Sequence, residues 1–217
     1  MTPRLFLFDL DGTLADTDAD IRGAWKAAIG DLGLDCPLFD VKFVAGPPID
    51  EMARTLFPDS FTPELADAIR TAFAKHYDSD GFPQTREYPG VIDAVRELKR
   101  RGARVCIATN KRFAGAMAMA RRFGWIGLFD GIYAGDMHKD GPAGKLRKPQ
   151  LVDMILRELG EDPSGCVLVG DTVNDFEAAK ANGVFPVAVA WGYGTDAERA
   201  LAGKTIGDPA ELLALRI

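Results

Sequence analysis

Arg4-Leu5-Phe6-Leu7-Phe8-Asp9-Leu10-Asp11-Gly12-Thr13-Leu14 opens with four consecutive apolar residues after Arg4 and then breaks into carboxylates. A strand with one wet face alternates apolar and polar residues. An unbroken apolar run of this length instead reads as a strand buried on both faces, as in the interior of a parallel sheet. Similar runs recur at Arg104 to Thr109, Gly131 to Ala134, Cys166 to Asp171 and Phe185 to Ala190. Helical spacing separates them. Val91, Val95 and Leu98 share one face, as do Phe113, Met117, Ala120 and Phe123, and Leu151, Ile155 and Leu159. Strand–helix alternation of this kind predicts an α/β core, a parallel sheet with helices on both faces.

The alternation is interrupted. Between residues 16 and 88 no buried strand is legible, and helical patterns follow one another: Trp25, Ala28 and Leu32; Ile49, Met52, Ala53 and Leu56; Leu65, Ile69 and Phe73. Thr62-Pro63-Glu64 is a helix start, with threonine as cap and proline in the first turn. The expected organisation is a core of residues 1–15 and 89–217 with an inserted helical domain of residues 16–88. Its hinges would lie near residues 15–18 and 87–90, and Trp25, Phe43, Phe57 and Phe73 would form its core.

The chain has 217 residues and a formal net charge of −6, which argues against a nucleic-acid surface. Cys36, Cys106 and Cys166 are widely spaced and suggest neither a disulfide framework nor a zinc site. Met1-Thr2-Pro3-Arg4 runs directly into the first strand without a signal-peptide pattern, and no apolar stretch is long enough to span a bilayer. The expectation is a cytoplasmic protein without a membrane partner, monomeric or homodimeric.

Ligands of open parallel sheets bind beyond the carboxyl ends of the strands. There the sequence places Asp9-Leu10-Asp11-Gly12-Thr13, Thr109-Asn110-Lys111 and Gly170-Asp171-Thr172-Val173-Asn174-Asp175, with Lys148 ahead of the helix preceding the fourth strand. Carboxylates at Asp9 and Asp171 make a hard oxygen site of the kind that suits Mg2+. Asp175 lies one helical turn after Asp171, on the same face.

This set, Asp-x-Asp-Gly-Thr-Leu, a strand-terminal Thr-Asn, Lys-Pro and Gly-Asp-x-x-x-Asp in that order, resembles the haloacid-dehalogenase-like (HAD) superfamily. Within it the chain is most similar to phosphoglycolate-phosphatase-type enzymes with a helical cap. The resemblance covers the core; in the cap it rests on Val44-Ala45-Gly46-Pro47-Pro48. It implies a Rossmann-like sheet in the order 5-4-1-2-3 and a Mg2+-dependent phosphatase of a small phosphorylated metabolite. Asp9 would be the nucleophile that becomes an aspartyl-phosphate. Asp11 would be the general acid and base, and its backbone carbonyl would join Asp9 and Asp171 at the metal. Thr109 and Asn110 would hold phosphoryl oxygens, and Lys148 would supply positive charge. Asp175 would complete the metal site, orienting Lys148 or a metal-bound water.

Other readings compete. A hydrolytic dehalogenase would not need Asp11, since a halide leaves without a proton. A phosphohexose mutase would use the same core with a water-excluding cap, and a phosphonate hydrolase would want a cap lysine, for which Lys26 and Lys42 qualify by type only. A non-catalytic binding protein on this fold would be expected to have lost some of these carboxylates. Lys42 and Arg54 are candidates for binding the non-reacting end of the substrate. The segment 135–147, with Asp136, His138, Lys139, Asp140, Lys145 and Arg147, is long for a core connection and is a candidate substrate-facing loop. His76 and His138 have no ligand partner in sequence. Asp16-Thr17-Asp18-Ala19-Asp20 lacks the glycine and glutamate of a calcium loop.

Overall fold

The computed structural model describes residues 2–79, 81–137 and 145–217. The chain enters through β1 (Leu5–Phe8) and the short β2 (Ala15–Asp16). It then passes through helices α1 (Asp18–Asp31), α2 (Phe39–Lys42), α3 (Ile49–Leu56) and α4 (Pro63–Ser79). The return runs through β3 (Arg86–Glu87), α5 (Val91–Arg100), β4 (Arg104–Thr109), α6 (Phe113–Arg122) and β5 (Gly131–Ala134). Then come α7 (Lys148–Leu159), β6 (Cys166–Gly170), α8 (Val173–Ala181), β7 (Phe185–Val189), α9 (Asp196–Arg199) and β8 (Lys204–Ile206). The chain divides into two compact units, Met1–Asp16 with Glu87–Ile217, and Thr17–Arg86.

In the first unit six parallel strands lie in the order β5-β4-β1-β6-β7-β8. Five of them, β7 to β5, follow the order expected from the resemblance, and β8 adds a sixth at the β7 edge. Because β1 is central, every side chain of Leu5–Phe8 is sealed from water, which is why its sequence does not alternate. Successive side chains point to opposite faces. Leu5 and Leu7 share a core with Cys106, Leu151, Ile155 and Leu168. Phe6 and Phe8 stack at 6.3 Å, and Phe8 meets Phe129 edge-on at 6.3 Å. The buried face of α6 is Ala116, Met119 and Ala120, whereas Phe113, Met117 and Phe123 are only half-buried.

The second unit is helical. Helix α1 packs on α4, and Trp25 lies 5.8 Å from Phe43 and 6.1 Å from Phe73. The Thr62 hydroxyl accepts the Leu65 N–H at 3.1 Å and opens α4. Asp20 on α1 accepts the backbone N–H of Thr85 at 2.7 Å and its hydroxyl at 2.6 Å, tying the end of the unit to its beginning. Leu32 is not core: it caps α1 and is 37% exposed. His76 lies 2.9 Å from Asp31. Among the described residues no helix is long and apolar enough to cross a membrane.

Candidate active site

The site is assembled where the strands of the first unit end. Asp9 directly follows β1, and its N–H still pairs with the Val169 carbonyl at 2.9 Å, so the sheet holds it in place. The chain then turns sharply, the Leu10 carbonyl accepting N–H groups of Thr13, Leu14 and Ala15. Gly12 makes the turn at φ +80°, and a Cβ there would fall 2.1 Å from Asp171 Oδ2. Both the backbone conformation and the space therefore demand glycine.

Asp171 follows β6, and its Oδ2 accepts the Tyr193 N–H at 2.8 Å. Asp175 sits in the first turn of α8, where Oδ2 accepts the N–H and hydroxyl of Thr172, both at 3.2 Å. Its Oδ1 lies 2.8 Å from Lys148 Nζ. Lys148 is the first residue of α7, followed by Pro149, and it is 4% exposed. Its ammonium also donates to Asp9 Oδ1. Carboxylate oxygens of Asp9, Asp171 and Asp175 all lie within 4.8 Å of one another.

Lys111, just beyond β4, is placed by sequence at the strand end that would face a ligand, but nothing in the sequence gives it a role. Its Nζ lies 2.8 Å from Asp11 Oδ1, with the two side chains only 6% and 14% exposed. Its N–H donates to Thr109 Oγ1 at 3.1 Å. That leaves the buried threonine hydroxyl proton available, while the neighbouring Asn110 is half-buried.

The segment after β7 also escapes sequence reasoning. The Trp191 indole N–H donates to the Thr13 carbonyl at 3.1 Å. A Cβ on Gly192 would meet Asp171 Cβ at 2.3 Å, and one on Gly194 would meet the Asp171 carbonyl oxygen at 1.8 Å. The only sequence signal is the spacing Trp-Gly-Tyr-Gly directly after a strand.

The remaining candidates have other surroundings. Lys42 is exposed at the end of α2, and the Arg54 guanidinium lies 3.9 Å from the Phe61 ring centroid; both belong to the helical unit. Lys26 pairs with Asp40 at 3.0 Å. Within the 135–147 segment Asp136 accepts the N–H of Phe113 at 2.7 Å and so caps α6. Arg147 precedes α7 with its N–H on Gln150 Oε1 at 2.9 Å. These contacts give both residues local structural work. His138, Lys139 and Asp140 lie outside the described residues.

Burial is the largest influence on Asp9 and, with repulsion from Asp175 and Asp11, pushes its carboxyl up to about 7 against the pull of Lys148. Burial and the neighbouring Asp175 and Asp9 likewise hold Asp171 well above the usual carboxylate range. Burial alone would lower Lys148, but Asp175 and Asp9 outweigh it and keep the ammonium charged. Four carboxylates thus face two ammonium groups. The all-oxygen donor set and its excess negative charge fit a hard divalent cation.

A family model of haloacid dehalogenase-like hydrolases matches residues 3–183, from β1 through the insertion to just beyond α8. The chain belongs to that family. Among curated relatives of this HAD-like protein, the tyrosine-protein kinase PtkA of Mycobacterium tuberculosis (strain ATCC 25618 / H37Rv) is 31% identical over 194 residues. The match covers 89% of this chain but 64% of PtkA. The phosphoglycolate phosphatase of Aquifex aeolicus is 30% identical, with 98% of this chain and 96% of that protein covered. Among solved structures, a mutant of CbbY from Rhodobacter sphaeroides, in complex with xylulose-(1,5)bisphosphate, superposes with a TM-score of 0.79 at 26% identity. That match covers 97% of this chain and 96% of CbbY.

Proposed function

We propose that this HAD-like protein is a Mg2+-dependent phosphomonoesterase of a small phosphorylated metabolite, working through a phosphorylated Asp9. The observation that carries the reading is the buried Asp9–Lys148–Asp175 chain with Asp171 alongside and Asp11 held separately by Lys111. In this reading Asp9 serves as nucleophile, and Asp11, two residues on and paired with a different lysine, serves in proton transfer.

Asp9 Oδ attacks phosphorus and the bond to the ester oxygen breaks. The bonding pair leaves on that oxygen, which takes a proton from the Asp11 carboxyl. Asp11, now ionised, removes a proton from water as the water attacks phosphorus. The bond between phosphorus and Asp9 then breaks, giving inorganic phosphate, a free Asp9 carboxylate and a reprotonated Asp11. The Thr109 hydroxyl and Lys148 bind phosphoryl oxygens, with Asn110 beside them. Asp9 and Asp171, with the Asp11 carbonyl, would hold the metal, which would supply positive charge between Asp9 and the phosphate dianion. Asp175 spends one oxygen on Lys148 and the other on Thr172, so its role is to hold Lys148.

The substrate class is a phosphoglycolate-like compound, a nucleotide or a sugar phosphate. The phosphoglycolate phosphatase relative and the sugar-bisphosphate complex of CbbY support it. The helical unit selects among them, with Lys42 and Arg54 binding the non-reacting end. Changing both to alanine should raise KM for the best substrate about tenfold, equivalent to about 1.4 kcal/mol, with kcat nearly unchanged. Unchanged kcat/KM would remove these two residues from the reading.

Turnover of p-nitrophenyl phosphate should vanish after dialysis against chelator and return with Mg2+. Metal binding should also be visible in stability. Folded Asp9 holds its proton up to about pH 7, against about 3.9 for an unfolded aspartate. Its protonation therefore stabilises the metal-free fold fully below about pH 4, and that contribution is lost as pH rises through about 7. Magnesium competes with this proton. At one fixed Mg2+ concentration the rise in Tm should therefore be larger at about pH 8 than at about pH 5, the gain in unfolding free energy being about 2.7 kcal/mol where that concentration is about a hundredfold above Kd. Equal rises at the two pH values would mean that Asp9 is not at the metal.

A further inference from the structure

Asp9 and Asp11 lie two residues apart on one loop but answer to different cations. Lys148 approaches Asp9 from the start of α7 and is shared with Asp175. Lys111 approaches Asp11 from the end of β4, with Nζ 2.8 Å from Oδ1 and both side chains largely buried. Its backbone is fixed as well, since its N–H donates to the buried Thr109 hydroxyl. The ammonium is thus tethered to the end of an interior strand.

The fold does not need this pair. Strands β1 and β4 are already joined in register from Leu5–Arg104 to Phe8–Ile107. Two charges taken out of water often contribute no more than well-packed apolar residues in their place. What the pair does supply is orientation. An aspartate side chain turns about two bonds, and general acid catalysis demands that its proton meet the leaving oxygen at hydrogen-bonding distance.

We propose that Lys111 is the positioning residue for Asp11, holding its carboxyl where it can protonate the leaving oxygen and then receive a proton from water. The assignment rests on the reading of Asp11 as acid and base. Lys111 acts through Asp11 and not on the phosphoryl group, which Lys148 and Thr109 serve.

The test is a double-mutant cycle in the Mg2+-loaded full chain. Single-turnover phosphorylation would be followed with phenyl phosphate and p-nitrophenyl phosphate, esters of similar size whose leaving groups differ in their need for a proton. Lys111→Met should slow phosphorylation by phenyl phosphate about 10²-fold, the scale of a small misplacement of a catalytic group, and slow it much less with the nitrophenyl ester. Lys111→Arg, which keeps the charge, should recover most of the rate. In the Asp11→Asn background the same Lys111→Met change should cost less than about twofold. An equal cost in both backgrounds, or none in either, overturns the assignment. If Lys111→Met does not fold, Lys111→Gln enters the same cycle under the same criteria. The Asp11→Asn arm reports separately on the underlying reading. Equal losses with the two esters there would remove Asp11 as the acid. A normal Asp11→Asn profile with a background-independent Lys111 effect would remove Lys111 alone.

Discussion

Asp9→Asn should abolish turnover, by a factor on the order of 10⁵ or more, and leave a folded protein. An amide oxygen is a poor nucleophile toward phosphorus, and nothing else in the cluster replaces the lost carboxylate: Asp175 is engaged by Lys148 and Thr172, and Asp11 by Lys111. The fold survives because two effects of the substitution oppose each other. Lys148 loses one negatively charged partner but keeps Asp175 at 2.8 Å, and the amide oxygen can still accept from it. At the same time a carboxyl that burial and its neighbours push up to about 7 gives way to a neutral group of the same shape, relieving repulsion on Asp171. Rapid quench with labelled substrate should find label on the wild-type protein and none on the variant, with Tm changed by only a few degrees. A variant that retained a labelled protein, or a few per cent of wild-type turnover, would place the nucleophile elsewhere.

Asp11→Asn should produce a loss whose size depends on the ester. An alkoxide is a poor leaving group and needs the proton, so phosphorylation of Asp9 by an alkyl phosphate such as phosphoglycolate should fall by roughly 10²–10⁴-fold. Nitrophenolate leaves readily, so the first step with p-nitrophenyl phosphate should be affected far less. The second step has lost its base whichever ester was used. With the activated ester a burst of nitrophenol, equal to the enzyme present, should therefore precede slow turnover. Metal affinity should change little, because the backbone carbonyl of residue 11 is retained. Identical losses with both esters and no burst would make Asp11 a structural residue.

Residues whose role is local are legible in the sequence, and residues whose role is set by distant partners are not. Leu5–Phe8 declares a central strand because burial on both faces leaves no polar position. The carboxylates Asp9 and Asp171 stand out because each ends such a run. By contrast β8 is three residues long, and its Lys204 and Thr205 are exposed, so no apolar run marks it; β7 recruits it by pairing. The α6 pattern misleads in part: Ala120 is buried as expected, but Phe113, Met117 and Phe123 look like a core face, whereas burial falls on Gly115, Ala116 and Met119. Lys111 is easily overlooked because a lysine in a loop ordinarily reaches water, and only the fold reveals that Asp11, one hundred positions away in sequence, meets it. Asp136 errs the other way: a carboxylate in a long loop suggests substrate contact, but it caps the start of a helix.

The helical insertion has one further consequence for how this chain can change. Its two points of attachment are already together: Ala15–Asp16 pairs with Arg86–Glu87 in a two-stranded ribbon, and the Tyr88 N–H donates to the Leu14 carbonyl at 3.1 Å. To the sheet, everything from Thr17 to Arg86 is a single loop closed at its base. Loop-closure entropy grows only with the logarithm of length, about 0.6 kcal/mol for each doubling. An insert twice as long, or half as long, would therefore alter the chain-entropy cost to the core by no more than a single weak hydrogen bond contributes. The segment between those two crossings is free to be rebuilt, while Asp9, Asp11 and Lys148 remain held by strands and helices that do not register its size.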